Sequence, residues 1–549
     1  MNNDLFINSA RILAQNWGII FLILACVIWG SLLAFTILKK VTEEQFTDAE
    51  LTALALGGWP LPTLAISAVV LLLQLLIPVN LIAIITIVFL IVSTGFTIRV
   101  IWKHISFGFV IPILIFLFFV FIRIGFIANT ILPLYFDSAE HYRIIQALIN
   151  MNDPLVGKPY YHLGYHIMVA AFTLVTHANL GRVMLLFGQV ILAAIPLPIY
   201  FLIRRVTNSN MAAVFGVALA AFGWFMPAHS VNWGKYPALL SLLLIQFTLG
   251  MVLIKKRWLL AISVAASILV HTRSFILLAI FGLAWIISAI PRNKRILIFV
   301  LTCIMLGMAI LLIKRDAVVS LVFEPYGVWV TLLVELLSVP AFLSFPRLTF
   351  ASILVILLVL AGMFIPVTSI LTLLDRPLVE MVLFLPLAFL GGLGAMRLPK
   401  FLVPILVAAI VIHAWMMYNF SPSKCCQLVG RDDAATLDWA NKNLPANARI
   451  AIASTDLSLT STSPMLGTGS DAGIWVEPLT GRAVFALPYS TDFLDPNTHD
   501  RLCQQQVTHI YVGGLPRSFE SNFVDAKPEW YKTIFFLPQA RIVETLGCN

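Results

Sequence analysis

Charge is scarce in this chain. Asp, Glu, Lys and Arg make up 11% of its 549 residues, while 60% are hydrophobic. A water-soluble chain is roughly a quarter charged and about half apolar, so a soluble globular enzyme is excluded, and so is a disordered chain. Cysteine is sparse as well, six residues in all, which is too few for a disulfide-dense secreted scaffold. There is no internal repeat, no low-complexity tract and no sustained heptad pattern, so solenoids, collagen-like chains and long coiled coils are out. Met1 to Trp17 is polar and the first apolar run is long enough to cross a bilayer, so no cleavable signal peptide is expected. The formal charge of +9 is local: residues 1–420 hold 25 Lys/Arg against 13 Asp/Glu, whereas residues 421–549 hold 10 against 13. A basic excess confined to the apolar part is explained by membrane topology and gives no case for nucleic acid.

What the chain has in abundance is long apolar runs. A span needs about 20 mostly apolar residues. The candidates are 18–38, 60–77, 80–98, 107–129, 183–203, 210–228, 236–254, 258–272, 274–290, 296–313, 328–345, 349–367, 378–396 and 401–419. The short pair flanking His271 also reads as one re-entrant unit, so about 12–14 helices are expected. Lys39-Lys40, Arg99 with Lys103, Arg204-Arg205, Lys255-Lys256-Arg257, Arg292 with Lys294-Arg295, and Arg397 with Lys400 then fall on one side. By the positive-inside rule that side is the cytoplasm. The other side receives 130–181, 230–237, 314–326, 368–377 and the tail. The expected fold is therefore a polytopic all-α membrane bundle over 1–419, multi-pass in the plasma (inner) membrane, followed by a small extracytoplasmic α/β domain over 420–549.

That tail is polar and rich in turn residues. Arg431–Asn443 reads as a helix with Leu437, Ala440 and Leu444 on one face. Residues 449–454, Ala483–Pro488, 509–513 and 533–537 read as strands, and 454–470, rich in Ser, Thr and Gly, as a loop. Cys425, Cys426, Cys503 and Cys548 all lie here, and four cysteines in a polar outer domain allow three disulfide pairings.

Chemistry-bearing residues fall in the outer segments. In L-P-L-Y-F-D-S-A-E-H-Y-R, a helix would put Asp137, Glu140 and His141 on one face, beside Tyr135 and Tyr142. Asp137 as N-cap with Glu140 three residues on also resembles a capping box. In K-P-Y-Y-H-L-G-Y-H, His162 and His166 are four apart. With the preceding acids they form either an oxygen/nitrogen site for a divalent metal or a hydrogen-bonding set. V-N-W-G-K-Y-P brings Trp233, Lys235 and Tyr236 to the outer interface, as anchors or as ligands of a lipid phosphate. Arg273 in V-H-T-R-S-F and Arg376 in L-D-R-P-L-V-E-M are cations between apolar runs, where charge usually faces a cavity or a partner. Asp375 is the adjacent partner for Arg376. Glu335 and Arg123 are intramembrane by position and suit a bundle-interior salt bridge or a proton path.

These motifs together resemble the polytopic glycosyltransferases of the GT-C fold, in the style of prokaryotic arabinosyl-, mannosyl- or undecaprenyl-phosphate sugar transferases. The tail is similar too, through L-D-W-A-N-K-N-L-P-A-N-A-R-I-A-I, D-A-G-I-W-V-E-P-L-T-G-R and T-H-I-Y-V-G. The resemblance covers most of residues 50–549 through short motifs. It implies inverting transfer of a sugar from a polyprenyl-phosphate donor to a cell-surface glycan, lipid or protein at the outer face of the bilayer. Asp137 would then be the base, with Glu140 and His141 beside it, and Lys235, Arg273 and Arg376 would face the donor phosphate. Tyr142, His162, His166, Trp233 and Tyr236 would contact substrate. A sugar nucleotide is not the expected donor, since neither a glycine-rich phosphate loop nor a paired D-x-D is present. Asp137 and Glu140 are separated by Ser138-Ala139 where many members have adjacent acids, so no cofactor is expected to be required, although a divalent metal is possible. The competing readings are a transporter or flippase of lipid-linked sugars and a non-catalytic membrane scaffold with an outer binding domain.

Overall fold

The computed structural model describes residues 4–42, 45–101, 106–152, 162–291, 325–367, 372–418, 420–455 and 468–548. The candidate span 296–313, most of the loop 314–326, Cys303, the basic residues Lys103, Arg292, Lys294 and Arg295, and most of 454–470 lie outside them. Among the described residues, eight helices are long and apolar enough to cross a membrane, and six further apolar helices are shorter.

The first half of the bundle runs through α1 (Leu5–Thr42), α2 (Asp48–Gly58), α3 (Pro60–Leu73), α4 (Val79–Ile101) and α5 (Val110–Ile124). α1 is 38 residues long, about 57 Å at the helical rise, and kinks at Asn16 (φ −129°). There the Asn16 amide donates to the Ile12 carbonyl (2.9 Å) and accepts from Arg182 Nε (3.0 Å). A side chain inserted beside the backbone ladder is a usual cause of such a bend. α2 starts on a capping box in which Glu50 N–H donates to Thr47 Oγ1 and Thr47 N–H to Glu50 Oε2. Its continuation as α3 is broken at Pro60, which has no N–H to give. α4 turns Ile84, Val88, Ile91 and Phe96 outward, all exposed. Apolar side chains in such a stripe suit a bilayer and no aqueous surface.

After the amphipathic α6 (Tyr135–Ile149) come α7 (Gly164–Thr176), α8 (Leu180–Ala194), α9 (Leu197–Thr207), α10 (Asn210–Ala218), α11 (Tyr236–Ile254), α12 (Arg257–Val270) and α13 (Ser274–Ala289). The apolar helices Val328–Ser344, Pro346–Gly362, Arg376–Val382, Phe384–Ala395 and Leu402–Met417 complete the bundle. One expectation is corrected here. The segment 130–181 is not simply an outer loop: α7 is an almost wholly buried apolar helix packed against α3, α4, α6 and α8. At 13 residues it is about 20 Å long, too short to span, which is why a search for spans passes over it.

The two ends of the bundle differ in chemistry. At one end Lys39 pairs with Asp48 (2.8 Å), whose other oxygen accepts the Ser106 N–H, and Arg205 lies over the Phe46 ring. At the other end Arg11 reaches Asn129 beyond α5 (3.2 Å), and Arg182 at the start of α8 meets the Thr130 carbonyl. α6, the turn before α11 and the α12–α13 junction lie at this second end, together with the exit to the C-terminal domain.

That domain is a mixed sheet of β1 (Arg449–Thr455), β2 (Thr468–Gly469), β3 (Ala483–Pro488), β4 (His509–Val512), β5 (Tyr531–Leu537) and β6 (Ala540–Thr545). β1 is parallel to β3 on one edge and to β4 on the other; β6 and then β5 extend the sheet antiparallel. The helix Arg431–Asn443 forms as the spacing predicts, burying Leu437 and Ala440. Cys503 and Cys548 form a disulfide, leaving Cys425 and Cys426 as thiols.

Candidate functional site

The chain reaches α6 through Pro133 and an extended Leu134, and Tyr135 takes φ 64°, a conformation rare for a bulky residue. The helix thus starts three residues earlier than a capping box at Asp137 requires. Leu134 is the N-cap, no side chain caps it, and the capping-box expectation is overturned. Asp137 is instead in the first turn, where a carboxylate complements the helix dipole. Its Oδ2 accepts from Lys235 Nζ.

Lys235 comes from a distant segment, and Gly234 brings it there. Gly234 has φ +66°, and a Cβ on it would meet Ser138 Oγ at 2.5 Å and Ser138 N at 2.9 Å. Only glycine lets the turn before α11 lie this close to the first turn of α6. The Asp137 side chain is 13% exposed and that of Lys235 26%, so the pair is shielded yet reachable.

Glu140 is not available to the same site. Arg143 grips it with Nε (3.1 Å) and Nη2 (2.9 Å) in a side-on fork. The i, i+3 pairing was there to read in E-H-Y-R. His141 Nδ1 lies 3.0 Å from His166 Nε2, so a single proton joins α6 to α7. His162 follows, its ring 6.3 Å from His166 and 4.8 Å from His271. His271, at the α12–α13 junction, was not among the predicted site residues, although it stands two residues before Arg273.

Arg273 Nη1 bonds Asp375 Oδ2 at 2.7 Å, while Arg376 Nε bonds Glu380 Oε1 at 2.6 Å. This corrects the expected Asp375–Arg376 partnership. Arg376 opens a helix, and its own i+4 carboxylate is in reach, which leaves Asp375 to the cation from the α12–α13 junction. Two further expectations change. Glu335 is exposed on its helix and forms no salt bridge among the described residues. Arg123 has no carboxylate partner among the described residues.

The aromatic residues are mostly packing elements. Tyr236 is 1% exposed and stacks on Tyr165 with ring centroids 5.8 Å apart. Tyr142 is buried edge-on against Trp475 of the sheet domain (5.5 Å), which ties that domain to α6. Both side chains are buried in this structure. Trp233 remains half-buried next to His229. Arg482 is engaged within its own domain, bonding Asn441 Oδ1 and the Leu444 carbonyl.

As to a metal, no three of Asp137, Glu140, His141, His162 and His166 bring donor atoms within ligand-sharing distance among the described residues; the one such group is His499, Cys503 and Cys548, two of which are in the disulfide. The arrangement at the α6 end offers a carboxylate in contact with an ammonium, three arginine–carboxylate pairs and a bridge of imidazoles between them.

Fold and site define a membrane-embedded helical bundle whose charged residues gather beneath a small α/β domain. Comparison with known protein families and with curated proteins finds no match for this chain.

Proposed function

We propose that the chain is a membrane glycosyltransferase that moves a sugar, with inversion, from a polyprenyl-phosphate donor to a glycan, lipid or protein acceptor at the outer face of the membrane. The observation that carries the reading is the Asp137–Lys235 contact at the end of the bundle away from the Lys39 and Arg205 clusters. Such a transfer needs a carboxylate for the acceptor's proton and a cation for the donor's phosphate, and the two adjoin here.

In the free protein Lys235 holds the carboxylate. A donor phosphate competes for the ammonium and leaves Asp137 free to accept the acceptor's hydroxyl proton. The acceptor oxygen then bonds to the anomeric carbon while the bond from that carbon to the phosphate oxygen breaks. The polyprenyl phosphate departs with the electron pair. Cations in a dry site stabilise such developing charge more than they would in water, and Arg273 and Arg376 are assigned that role beside Lys235. The imidazoles of His141, His166, His162 and His271 hold α6, α7 and the α12–α13 junction in register.

Transfer from a labelled polyprenyl-phosphate hexose or pentose, measured in membranes, tests this. Asp137→Asn should lower turnover roughly 10²–10⁴-fold, the contribution of a positioned base, at unchanged expression. Lys235→Met should both lower kcat and raise the donor KM, because its cation meets the phosphate in the ground state and its developing charge in the transition state. Turnover like wild type in Asp137→Asn removes the base. Movement of the intact lipid-linked sugar between leaflets, without transfer, favours the transporter reading instead.

A further inference from the structure

Arg123 stands in the last turn of α5, inside a helix long and apolar enough to span. Its guanidinium lines a cavity of about 60 Å³ between α5, α8, the π-helical turn Leu219–Gly223 and the stretch 224–232. Nε and Nη2 are sealed from solvent and have no hydrogen-bond partner among the described residues. The Phe126 ring lies 5.1 Å from Cζ and covers one face. On the same wall Trp224 Nε1 is also buried without a partner among the described residues.

The other polar groups of the cavity are already engaged. Asn232 accepts the Ser423 N–H (3.0 Å) and meets His229 Nδ1 (3.1 Å), while the Tyr418 hydroxyl donates to the Gly223 carbonyl. No carboxylate lines the cavity. Three buried donors and a positive charge therefore stand at the wall of this cavity with no acceptor for them among the described residues. Arg143 shows what this edge of a guanidinium takes: the same Nε and Nη2 hold both oxygens of Glu140. A cation at membrane depth is costly and marks a cavity or a partner, and the side-on fork matches the paired oxygens of a carboxylate or phosphate.

We propose that this cavity binds the phosphate group of a membrane lipid, with two of its oxygens on Arg123 Nε and Nη2 and a third on Trp224 Nε1. The volume has room for about four water-sized groups, as many as a phosphate has oxygens. Arg123 lies four residues from the end of the apolar stretch Phe107–Ile127, so the phosphate of a surrounding lipid is the anion it would meet. The site is separate from the Asp137–Lys235 pair. His229 and Asn232 line it from the turn before α11, whereas Lys235, beyond Gly234, turns away to α6. It stands whether or not the chain is a glycosyltransferase.

The test uses the full chain in uncharged detergent, with dioctanoyl phosphatidic acid, dioctanoylglycerol and inorganic phosphate as probes. Binding is read by native mass spectrometry and by the shift in thermal midpoint. Phosphatidic acid should bind wild type and raise its midpoint, and dioctanoylglycerol should not. Arg123→Met should weaken phosphatidic acid binding roughly tenfold or more, while the lipid-free variant is at least as stable as wild type because an unpaired charge is gone. Arg123→Lys keeps the charge without the fork, so it should fold and fall between the two. Arg397→Met, at the basic end, controls for nonspecific attraction. Equal phosphatidic acid binding by wild type, Arg123→Met and Arg123→Lys overturns the site. Inorganic phosphate as potent as the lipid overturns the lipid as its source.

Discussion

The bundle and the sheet domain bury carboxyl groups in opposite ways. At the α6 end of the bundle, Asp137, Glu140, Asp375 and Glu380 each contact a cation: Lys235, Arg143, Arg273 and Arg376. In the sheet domain Asp433 and Asp471 are buried, and neither pairs with a cation among the described residues. Asp433 accepts from the Tyr511 hydroxyl (2.5 Å) and the Gly430 N–H (2.8 Å), and Asp471 from the Gly473 N–H (2.8 Å). Burial pushes the Asp471 carboxyl up to about 7, reinforced by the nearby Asp433 and opposed by Ser518 and the Gly473 N–H. The bundle keeps charge and neutralises it with a cationic partner. The domain neutralises a carboxyl with a proton instead. The first arrangement suits a site, the second a core.

The largest expected effect lies in the domain. A carboxyl whose folded value is raised binds its proton more tightly folded than unfolded, so stability is full below the unfolded value of 3.8 and is lost as pH rises through about 7. At about 1.4 kcal/mol per unit, the loss by pH 8 approaches roughly 4 kcal/mol. Asp471→Asn cannot ionise. It should match wild type near pH 4 and exceed it by up to that amount at pH 8, measured by hydrogen exchange in β1 and β4 peptides of both proteins at each pH. Equal protection of the two at pH 8 would mean that Asp471 is ionised in the fold at no cost, and the contrast between the regions would vanish.

Lys235→Met probes the other side. Breaking a fully buried pair costs about 3–5 kcal/mol; with the side chains 26% and 13% exposed, roughly 2 kcal/mol is expected. The double variant Asp137→Asn with Lys235→Met should regain most of that stability, because no unpaired charge is left, yet remain inactive in transfer. Coupling is read from the cycle of thermal unfolding energies. Additive losses would show that the two side chains touch without depending on one another.

Much of this was legible in the sequence, for physical reasons. Spans announce themselves by length and apolarity, and the helix Arg431–Asn443 and β3 by period and bounding turns. Asp137, Lys235 and Arg273 were visible because charge is conspicuous between apolar runs. Their partners were not. Asp375 lies beside Arg376 in the chain, but helix geometry gives Arg376 to Glu380 and leaves Asp375 to Arg273, about a hundred residues away. The i, i+4 spacing of Arg376 and Glu380 is a local pattern, but nothing local joins Asp375 to Arg273. Gly234 reads as an ordinary turn glycine until Ser138 is seen against it. β6 escaped because Arg541 and Glu544 interrupt its apolar residues, although Ile542 and Val543 are buried. Arg123 was noticed as a charge at depth, but that Nε and Nη2 meet no acceptor among the described residues is a property of the packed structure alone.

The smallest effect belongs to a pair that looks as good in distance as any at the site. Lys442 Nζ is 2.7 Å from Asp438 Oδ2, one turn apart on the helix Arg431–Asn443, with side chains 67% and 60% exposed. Water screens this pair, and holding two long side chains together costs entropy, so an exposed i, i+4 pair is worth about 0.3–0.5 kcal/mol. Lys442→Ala should shift the unfolding energy by no more than this, and the shift should disappear in about 1 M salt, where the screening length is ~3 Å. The Lys235→Met effect should persist in the same salt, because half-buried charges are screened much less. If both respond alike, exposure does not set the strength of these pairs, and Asp137–Lys235 is a surface contact and no part of a sheltered site.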